Sequence, residues 1–399
     1  MGIYDELGVK TVINAAGPLT RLSGSRLDPE VRAAMAEASQ WHVRIEDLQA
    51  RAGEIIAEIT GAEAGYVVAG AAAGLTLAAA ACIAGLDPAK MDRLPDTEGL
   101  PNEIVMQKAH RNNYDHALRL AGAKIVEAGY LGYPGAGGTY AWQIEAAISE
   151  WTVAIAHPIM PAPGTVPLEE VIALAHRRGL PVIVDAAAEL PPVENLRRFI
   201  AAGADLVTFS GGKAIGGPQA SGILCGRRDL IESVALQHQD MDVHPATWTL
   251  RRAFLETGRL PGPPHHGIGR SMKVGKEEIV GLLVALRRFV ARDHAAEARR
   301  WEEWLTAMAA ALDPLPAVRA ELTPAGRGRR PYPLLTVWLD EAQLPLSAVE
   351  VINALAEGEP PICVGQGAID GGGIIINPTQ LREEEVGIVL EHLLAVLGG

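Results

Sequence analysis

Short apolar segments alternate with segments of helical periodicity between residues 64 and 225, and this alternation limits the fold more than any other feature. The predicted strands are 66–68, 103–106, 124–126, 153–156, 181–185, 205–209 and 221–225. Apolar strands separated by helices are typical of a mainly parallel sheet with helices on both faces. The sequence therefore predicts an α/β fold in which a mainly parallel sheet is sandwiched by helices.

The chain is long enough to form more than one domain. With 399 residues it exceeds the size at which a single hydrophobic core divides. Residues 275–312 have the periodicity of one long helix, and strands and helices alternate again at 334–339, 346–356, 373–376 and 384–397. We therefore expect four parts: an N-terminal arm (1–28), a large domain (29–270), a connecting long helix (271–312) and a smaller C-terminal α/β domain (313–399).

One uncharged stretch could be read as a membrane span. Residues 64–86 contain no charged side chain and are numerous enough to cross a bilayer. The stretch consists mostly of Ala and Gly, however, and amphipathic segments flank it. We therefore predict a strand followed by a buried helix, and we expect no membrane partner.

Charge and cysteine content restrict the partners and the compartment. The 35 basic and 48 acidic side chains give a formal charge of −13, which disfavours binding to nucleic acid or to an anionic membrane surface. The cysteines, Cys82, Cys225 and Cys363, lie far apart and form no CxxC motif. Sparse cysteines of this kind are typical of a reducing compartment, so we expect a cytoplasmic protein that acts on a small molecule.

Three segments that follow predicted strands carry groups suited to chemistry. Ligands of an open parallel sheet bind beyond the carboxyl ends of its strands. The Gly/Ala loop 69–74 leads directly into a helix, where backbone N–H groups can approach a phosphate. Asp185 ends one strand, and a carboxylate there requires a cationic partner. Ser210-Gly-Gly-Lys213 follows the next strand, where desolvation would make the lysine amine nucleophilic.

Each segment alone also has a purely structural explanation. The Gly/Ala loop could serve tight packing of a helix on a sheet, and a lone lysine in a turn is usually exposed. Together at one edge of the sheet, the three segments meet the needs of pyridoxal 5′-phosphate. That cofactor requires a lysine for its Schiff base, an acid that keeps a proton on the ring nitrogen, and a loop that binds phosphate. The sequence therefore predicts pyridoxal 5′-phosphate as the cofactor.

The sequence resembles the fold-type-I pyridoxal-phosphate enzymes of the branch that contains L-seryl-tRNA selenium transferase and D-glucosaminate-6-phosphate ammonia-lyase. The resemblance covers nearly the whole chain. Its matching segments are 8–17, 69–74, 108–115, 185–192, 210–217 and 269–276. The pair of Asp185 followed by Lys213 along the sequence is specific for the cofactor, but it does not specify the reaction.

The resemblance implies a role for each matched residue. The implied roles are Schiff-base formation for Lys213, pairing with the pyridine nitrogen for Asp185, contact with one ring face for Ala187, stacking on the other face for His110, and phosphate binding for Ser210 and the backbone of Gly70, Ala71 and Ala72. Lys213, Asp185 and His110 would be the catalytic residues. Without the resemblance, His110 would be read as a loop histidine that caps a helix.

The residues that bind the substrate are less clearly marked. Many fold-type-I enzymes place an arginine for the substrate carboxylate in the small domain, yet residues 361–378 contain none. The candidates elsewhere are Arg21, Arg44, Arg111 and Arg270, of which Arg270 is the most attractive because it lies in a turn.

A polar segment, 237–244, offers two histidines that could also contact the substrate, His238 and His244. The segment could be a substrate-facing loop that reaches toward a neighbouring subunit, or plain surface structure. A third reading is a metal cluster of His238, Asp242 and His244. Because their spacing matches no metal motif, we predict no metal.

We expect a lyase that eliminates water from a 2-amino-3-hydroxy acid, after which hydrolysis of the released enamine yields a 2-keto-3-deoxy acid and ammonia. The resemblance favours a phosphorylated sugar acid such as D-glucosaminate 6-phosphate as the substrate. A racemase, epimerase or transferase of the same fold would use the same early steps. A non-catalytic α/β protein that binds a phosphate or nucleotide at the Gly70 loop is a further alternative. We expect a homodimer or a higher homo-oligomer.

Overall fold

A computed structural model describes residues 2–131, 138–160, 162–326 and 330–398. Its helices are α1 (Ile3–Glu6), α2 (Pro29–Ser39), α3 (Ile45–Thr60), α4 (Ala71–Ala84), α5 (Pro88–Arg93), α6 (His116–Leu120), α7 (Ala141–Ala147), α8 (Leu168–Arg177), α9 (Asn195–Ala201), α10 (Arg228–His238), α11 (Arg251–Phe254), α12 (Lys276–Ala291), α13 (His294–Leu312), α14 (Ala348–Glu357) and α15 (Glu383–Leu397). Its strands are β1 (Ile13–Ala15), β2 (Ala64–Val68), β3 (Glu103–Gln107), β4 (Lys124–Ala128), β5 (Thr152–Pro158), β6 (Val182–Asp185), β7 (Leu206–Ser210), β8 (Gly222–Gly226), β9 (Val318–Thr323), β10 (Leu334–Leu339), β11 (Ile362–Val364) and β12 (Gly373–Ile376).

The chain forms two compact units. The large unit comprises residues 27–290, and the small unit comprises residues 1–26 together with 291–399. The first residues belong to the small unit because β1 pairs in parallel with β11. The backbone N–H of Asn377 also donates to the carbonyl of Ala15 at 2.8 Å. The predicted division into a large domain (29–270) and a smaller C-terminal domain (313–399), each with its own function, stays a prediction.

The large unit is built on a seven-stranded sheet with the order β2-β8-β7-β6-β5-β3-β4. The five strands β4, β3, β5, β6 and β7 run parallel to one another in this order. Strand β8 runs antiparallel to both β7 and β2. The predicted mainly parallel sheet is therefore confirmed. The uncharged stretch 64–86 forms β2 and the buried helix α4, as predicted.

Both faces of this sheet are buried because successive strand residues point to opposite sides. Val105, Val184 and Phe209 pack on one face, in a core that includes residues of α3, α8 and α12. Ile104 and Ile183 pack on the other face, in a core that includes residues of α4, α6 and α10. This second face is the one on which α4 lies.

The small unit has an antiparallel sheet with the order β12-β10-β9. The predicted strands at 334–339 and 373–376 are confirmed as β10 and β12. Sequence reasoning missed strand β9, although its residues alternate between apolar and polar, with Val318, Ala320 and Leu322 packed against the core of this unit. Residues of α13, α14 and α15 complete the core of this unit.

The prediction of one long helix over 275–312 was wrong. The structure has two helices, α12 and α13, which are separated by Arg292 and Asp293. The Asp293 carboxylate accepts a hydrogen bond from the N–H of Ala296 at 2.9 Å and so caps α13. An N-cap aspartate stabilises a helix start, and its backbone is not helical. Among the described residues, no helix combines the length and apolar character that crossing a bilayer requires.

The first turn of helix α4 lies so close to the sheet that only a glycine fits at position 74. A Cβ on Gly74 would clash with Oγ1 of Thr208 on β7. Thr208 is fully buried, and its hydroxyl donates to the carbonyl of Ile223 at 3.0 Å, so it cannot move aside freely. Gly74 therefore sets how closely the start of α4 approaches the carboxyl end of β7.

We expect Gly74→Ala to destabilise the protein by about 1–3 kcal/mol, because an extra methyl group in a closely packed interior forces neighbouring atoms apart. The measurement is the free energy of unfolding in urea. Gly387→Ala is the matched control, since Gly387 is also helical and a Cβ there meets no atom within 4 Å. The control should be neutral or up to about 1 kcal/mol more stable. Equal effects in both variants would contradict the predicted clash.

Candidate active site

The carboxyl ends of three parallel strands meet at one edge of the large sheet. Pro158 on β5 pairs with Asp185 on β6, and Asp185 pairs with Thr208 on β7. Neighbouring strands are about 4.8 Å apart, so side chains that leave these ends lie within reach of one another. The candidate site is built on this edge.

Asp185 is the last residue of β6. It lies on the same side of the sheet as Ile183, the side that α4 covers. Its Oδ1 accepts a hydrogen bond from the N–H of Ala187 at 3.0 Å. Burial nevertheless raises the pKa of the carboxyl above its usual value, although the Ala187 N–H and the Lys213 ammonium both act to lower it. The carboxylate thus lies where a further cationic partner would stabilise it.

Lys213 lies in the turn that follows β7. Burial lowers the pKa of its amine, while the carboxylates of Asp185 and Glu189 act in the opposite direction. Because Lys213 and Asp185 affect each other's pKa, the structure brings the two predicted residues together. A larger fraction of this amine is neutral, and therefore nucleophilic, than for an exposed lysine.

The turn around Lys213 is held by backbone hydrogen bonds and close glycine contacts. The N–H of Gly216 donates to the carbonyl of Lys213 at 2.9 Å, and the N–H of Gly217 donates to that of Gly211 at 2.9 Å. A Cβ on Gly212 would lie 2.6 Å from the Cα of Gln219. The two glycines of Ser210-Gly-Gly-Lys213 therefore allow the chain to fold back tightly, which fixes the backbone that carries the lysine.

The start of α4 and the end of β7 converge through Gly222. Ser210 pairs with Gly222 in the ladder of β7 and β8, and a Cβ on Gly222 would lie 2.7 Å from the carbonyl carbon of Gly70. Gly70 precedes α4 with a φ of 106°, and no side chain of the described residues caps this helix. The N–H groups of Ala71 and Ala72 are thus left for an anion, with Ser210 nearby.

His110 lies in a short 3₁₀ turn, Lys108–His110, that directly follows β3. Its side chain is 1% exposed, and the pKa of its imidazole falls to about 4 because of burial. Asn112 holds the next residues: its amide donates to the carbonyl of His110 at 2.9 Å and accepts from the N–H of Tyr114 at 2.8 Å. His110 therefore lies at the predicted edge as a neutral, buried ring.

Sequence reasoning missed His157, the penultimate residue of β5. Its ring contacts the ring of His110 edge to face, with centroids 4.6 Å apart and planes at 77°. Burial and the neighbouring His110 lower the pKa of His157 to about 3. His157 and Asp185 also line one small cavity. The signal was available, because His157 follows the predicted strand 153–156 directly, as Asp185 ends its own strand.

The substrate-binding candidates do not all lie at this edge. His238 and Arg270 line a cavity of about 760 Å³ along β2, α3 and α10, and neither Asp185 nor Lys213 lines it. His244 is exposed, and its Nδ1 accepts a hydrogen bond from the N–H of Ala246 at 3.2 Å. Arg21 lies in a short turn of the small unit. Their roles toward a substrate stay a prediction.

Three of the candidate arginines are paired with carboxylates of the large unit. The pairs are Arg44 with Asp47, Arg111 with Asp115 and Glu127, and Arg270 with Asp240. A substrate carboxylate would have to compete with these acids for the guanidinium. The sequence contained the signal for Arg111, since Asp115 follows it at the i,i+4 spacing of a helical ion pair.

One histidine of the alternative metal cluster, His238, already has partners for both of its ring nitrogens. Nε2 of His238 donates to the carbonyl of Met272 at 3.0 Å, so its Nδ1 accepts from the hydroxyl of Tyr66 at 3.0 Å. The ligand atoms of Asp240, Asp242 and His266 lie within 4.8 Å of one another instead, all exposed. This is a surface group of charges, and we assign no metal to it.

The groups at the strand ends suit pyridoxal 5′-phosphate. The desolvated Asp185 carboxylate would meet a cationic ring nitrogen, and the amine of Lys213 would meet an aldehyde. Ser210 and the start of α4 would hold a phosphate group. The neutral ring of His110 offers an aromatic surface. These residues come from four neighbouring elements of one sheet edge.

Comparison with known proteins points to one family. The sequence model of L-seryl-tRNA selenium transferase matches residues 118–243. The chain is similar to a 5′-C-glycyluridine monooxygenase-decarboxylase of Streptomyces sp, at 35% identity over 99% of this chain and 93% of the relative. It is similar to a D-glucosaminate-6-phosphate ammonia lyase of Salmonella typhimurium, at 33% identity over 98% of this chain and 96% of the relative. A solved structure of D-glucosaminate-6-phosphate ammonia-lyase matches with a TM-score of 0.83 and 32% identity, covering 100% of this chain and 98% of the other.

The two buried histidines predict a loss of stability in mild acid. In the folded protein the pKa of His110 is about 4 and that of His157 is about 3, whereas in the unfolded chain the pKa of each histidine is near 6.5. Stability should therefore fall as the pH falls from about 6.5 toward 4, by about 1–2 kcal/mol per histidine at pH 5. The measurement is urea unfolding at pH 7 and pH 5.

His157→Phe should reduce this acid-dependent loss, because it removes one of the two groups that the unfolded chain protonates first. His265→Phe is the control, since the side chain of His265 is 81% exposed. A His157→Phe protein that loses as much stability in acid as the wild type would show that other groups cause the effect.

Proposed function

Because the chain belongs to the L-seryl-tRNA selenium transferase family, which includes D-glucosaminate-6-phosphate ammonia lyase, we propose that it is a pyridoxal-5′-phosphate-dependent lyase. Its substrate is a 2-amino-3-hydroxy acid of the phosphorylated sugar-acid class, such as D-glucosaminate 6-phosphate. The products are a 2-keto-3-deoxy acid and ammonia. The observation that carries this proposal is the mutual electrostatic effect of Asp185 and Lys213, two desolvated groups at neighbouring strand ends.

Lys213 is the base and Asp185 the electrostatic anchor. When bound, pyridoxal 5′-phosphate would supply an electron sink for the Cα of the substrate. The Nζ of Lys213, whose pKa is lowered by burial, then takes the proton from Cα at neutral pH. The Asp185 carboxylate stabilises positive charge at the ring nitrogen, and the low polarity around it strengthens that interaction.

The remaining residues position the reactants. Ser210 and the N–H groups of Gly70, Ala71 and Ala72 hold the phosphate at the start of α4, where the helix dipole favours an anion. Ala187 and His110 lie against the two ring faces. His110 is neutral at pH 7, so it assists departure of the 3-hydroxyl by donating a hydrogen bond and not by giving up a proton as an imidazolium.

A second reaction has a specific observation in its favour. The relative at 35% identity is named a monooxygenase-decarboxylase, and it matches as much of the chain as the ammonia lyase does. The alternative for this chain is thus oxidative decarboxylation of an amino acid that carries a nucleoside. Racemisation or group transfer would use the same Asp185 and Lys213.

We also propose the organisation in which the enzyme works. Residues 29–270, in the large unit, bind the cofactor, and residues 313–399 belong to the small unit. The active form is a homodimer, because an isologous two-fold contact is the commonest arrangement of soluble oligomers. The cytoplasm is the proposed location, as the three distant cysteines suit a reducing compartment. A monomer with full activity in sedimentation would contradict the dimer.

Replacing Lys213 tests the cofactor. We expect the purified protein, incubated with pyridoxal 5′-phosphate and freed of excess, to be yellow and to be bleached by borohydride. Lys213→Ala should lose the visible absorbance, because Lys213 is the lysine whose charge acts on the pKa of Asp185. Lys124→Ala is the matched control, since Lys124 is exposed at the opposite end of a strand. Colour in Lys213→Ala equal to the wild type would reject the assignment.

Product analysis tests the reaction. The panel comprises D-glucosaminate 6-phosphate, D- and L-hydroxyamino acids, and an amino acid that carries a nucleoside and has a free carboxylate, with oxygen present. We expect keto acid and ammonia in equal amounts from the sugar acid, and neither product from Lys213→Ala. Oxygen consumption with release of carbon dioxide would favour the monooxygenase alternative. Loss of optical rotation alone would favour racemisation.

A further inference from the structure

His110 and His157 form a pair of buried imidazoles at the ends of adjacent strands. His110 follows β3 and His157 lies near the end of β5, and β5 is the strand between β3 and β6. Since Asp185 ends β6, His157 stands between His110 and Asp185 along the sheet edge. The side chains of His110 and His157 are 1% and 6% exposed.

Among the residues that the structure describes, none orients the His110 ring by a hydrogen bond. Its Nδ1 is buried and has no hydrogen-bond partner among the described residues, and the same holds for Nδ1 of His157. Histidines that contact a cofactor or a metal are usually oriented by a second group bonded to the other ring nitrogen. The directional contact that the described residues give to the His110 ring is instead the edge-to-face contact with His157, at 4.6 Å and 77°.

We propose that His157 is a positioning residue, which fixes the plane of the His110 imidazole through the edge-to-face ring contact so that His110 can stack on the cofactor. This proposal rests on the proposed function, because the plane of His110 matters only if that ring faces the cofactor. In this role His157 acts through His110 and not through contact with the substrate or the cofactor. An aromatic ring at position 157 is therefore what the contact requires, and the imidazole nitrogens are not.

The size of the effect follows from the contact. Edge-to-face pairs contribute about 0.5–1.5 kcal/mol beyond the burial of their surface, which corresponds to about 2- to 12-fold in a rate or a binding constant. Loss of the pair should lower kcat by this factor and leave KM nearly unchanged, because orientation for the chemical step is lost while substrate contacts are kept. The visible circular dichroism of the bound cofactor should weaken as its stacking partner becomes mobile.

The test uses the enzyme loaded with pyridoxal 5′-phosphate and a double-mutant cycle. His157→Leu fills the space without an aromatic ring and should lower kcat about 2- to 12-fold and reduce the dichroism. His157→Phe keeps an aromatic ring and should restore both to within about 2-fold of the wild type. In a His110→Ala background, His157→Leu should have no further effect on either quantity, since its action passes through His110.

A buried pair elsewhere in the large unit provides the control for general destabilisation. Trp248 and Phe254 stack with centroids 6.3 Å apart. Phe254→Leu should lower thermal stability as His157→Leu does, with kcat and dichroism unchanged. A purely structural role for His157 would make the two variants behave alike, and that result would overturn the proposal.

Two further results would also overturn it: failure of His157→Phe to restore the dichroism, and a full additional loss from His157→Leu in the His110→Ala background. If His157→Leu does not fold, His157→Phe alone tests the proposal. Wild-type dichroism in His157→Phe would support it, whereas loss of the dichroism or misfolding of this variant would contradict it. Failure of the wider function is a separate result. A wild-type protein with no Lys213-dependent colour rejects the cofactor, whereas a coloured wild type with no effect at position 157 rejects only the role of His157.

Discussion

A carboxylate and an amine, both withdrawn from water at the ends of neighbouring strands, are the constraint on which the site depends. Burial raises the pKa of Asp185 and lowers that of Lys213, so burial weakens the charge of both groups. Their mutual attraction acts against this effect but does not reverse it. Both residues are half-buried, and a carboxylate or an ammonium that is partly withdrawn from water loses solvation that polar partners offset. A ligand with a cationic ring nitrogen and an electrophilic carbon would interact with both groups, which is why the pair indicates a cofactor more strongly than either residue alone.

The backbone around this pair is arranged by close contacts that only glycine permits. Gly212 lies against the Cα of Gln219, and Gly222 lies against the carbonyl carbon of Gly70. These contacts bring the turn of Lys213, the end of β7 and the start of α4 to one edge. Gly70 itself has a φ of 106°, a backbone conformation that residues other than glycine rarely adopt. The position of the lysine and the position of the phosphate-binding N–H groups therefore depend on one set of backbone contacts.

The sequence predicts those parts of the fold that local pattern determines. Apolar runs located β3, β6, β7 and β10, and the rule that ligands bind at the carboxyl ends of parallel strands selected Asp185 and Lys213. Features that depend on distant partners were missed: β1 has three residues and forms only because β11 lies beside it. His157 was missed for a different reason. Its place directly after a predicted strand was visible in the sequence, but a single histidine there matches no motif, and its importance comes from the ring of His110, 47 residues earlier in the chain.

The neutral histidine pair leaves proton transfer at the site to Lys213. With pKa values of about 4 and about 3, His110 and His157 carry no charge at pH 7, so neither competes with Lys213 for the proton taken from Cα. A charged ring at position 110 would also oppose positive charge at the pyridine nitrogen, which Asp185 is placed to stabilise. Burial thus gives His110 the role of an aromatic surface and hydrogen-bond donor, and it leaves proton transfer to one amine. Because burial removes hydrogen-bond partners as well, the orientation of His110 has to come from ring packing, and His157 is the residue placed to provide it.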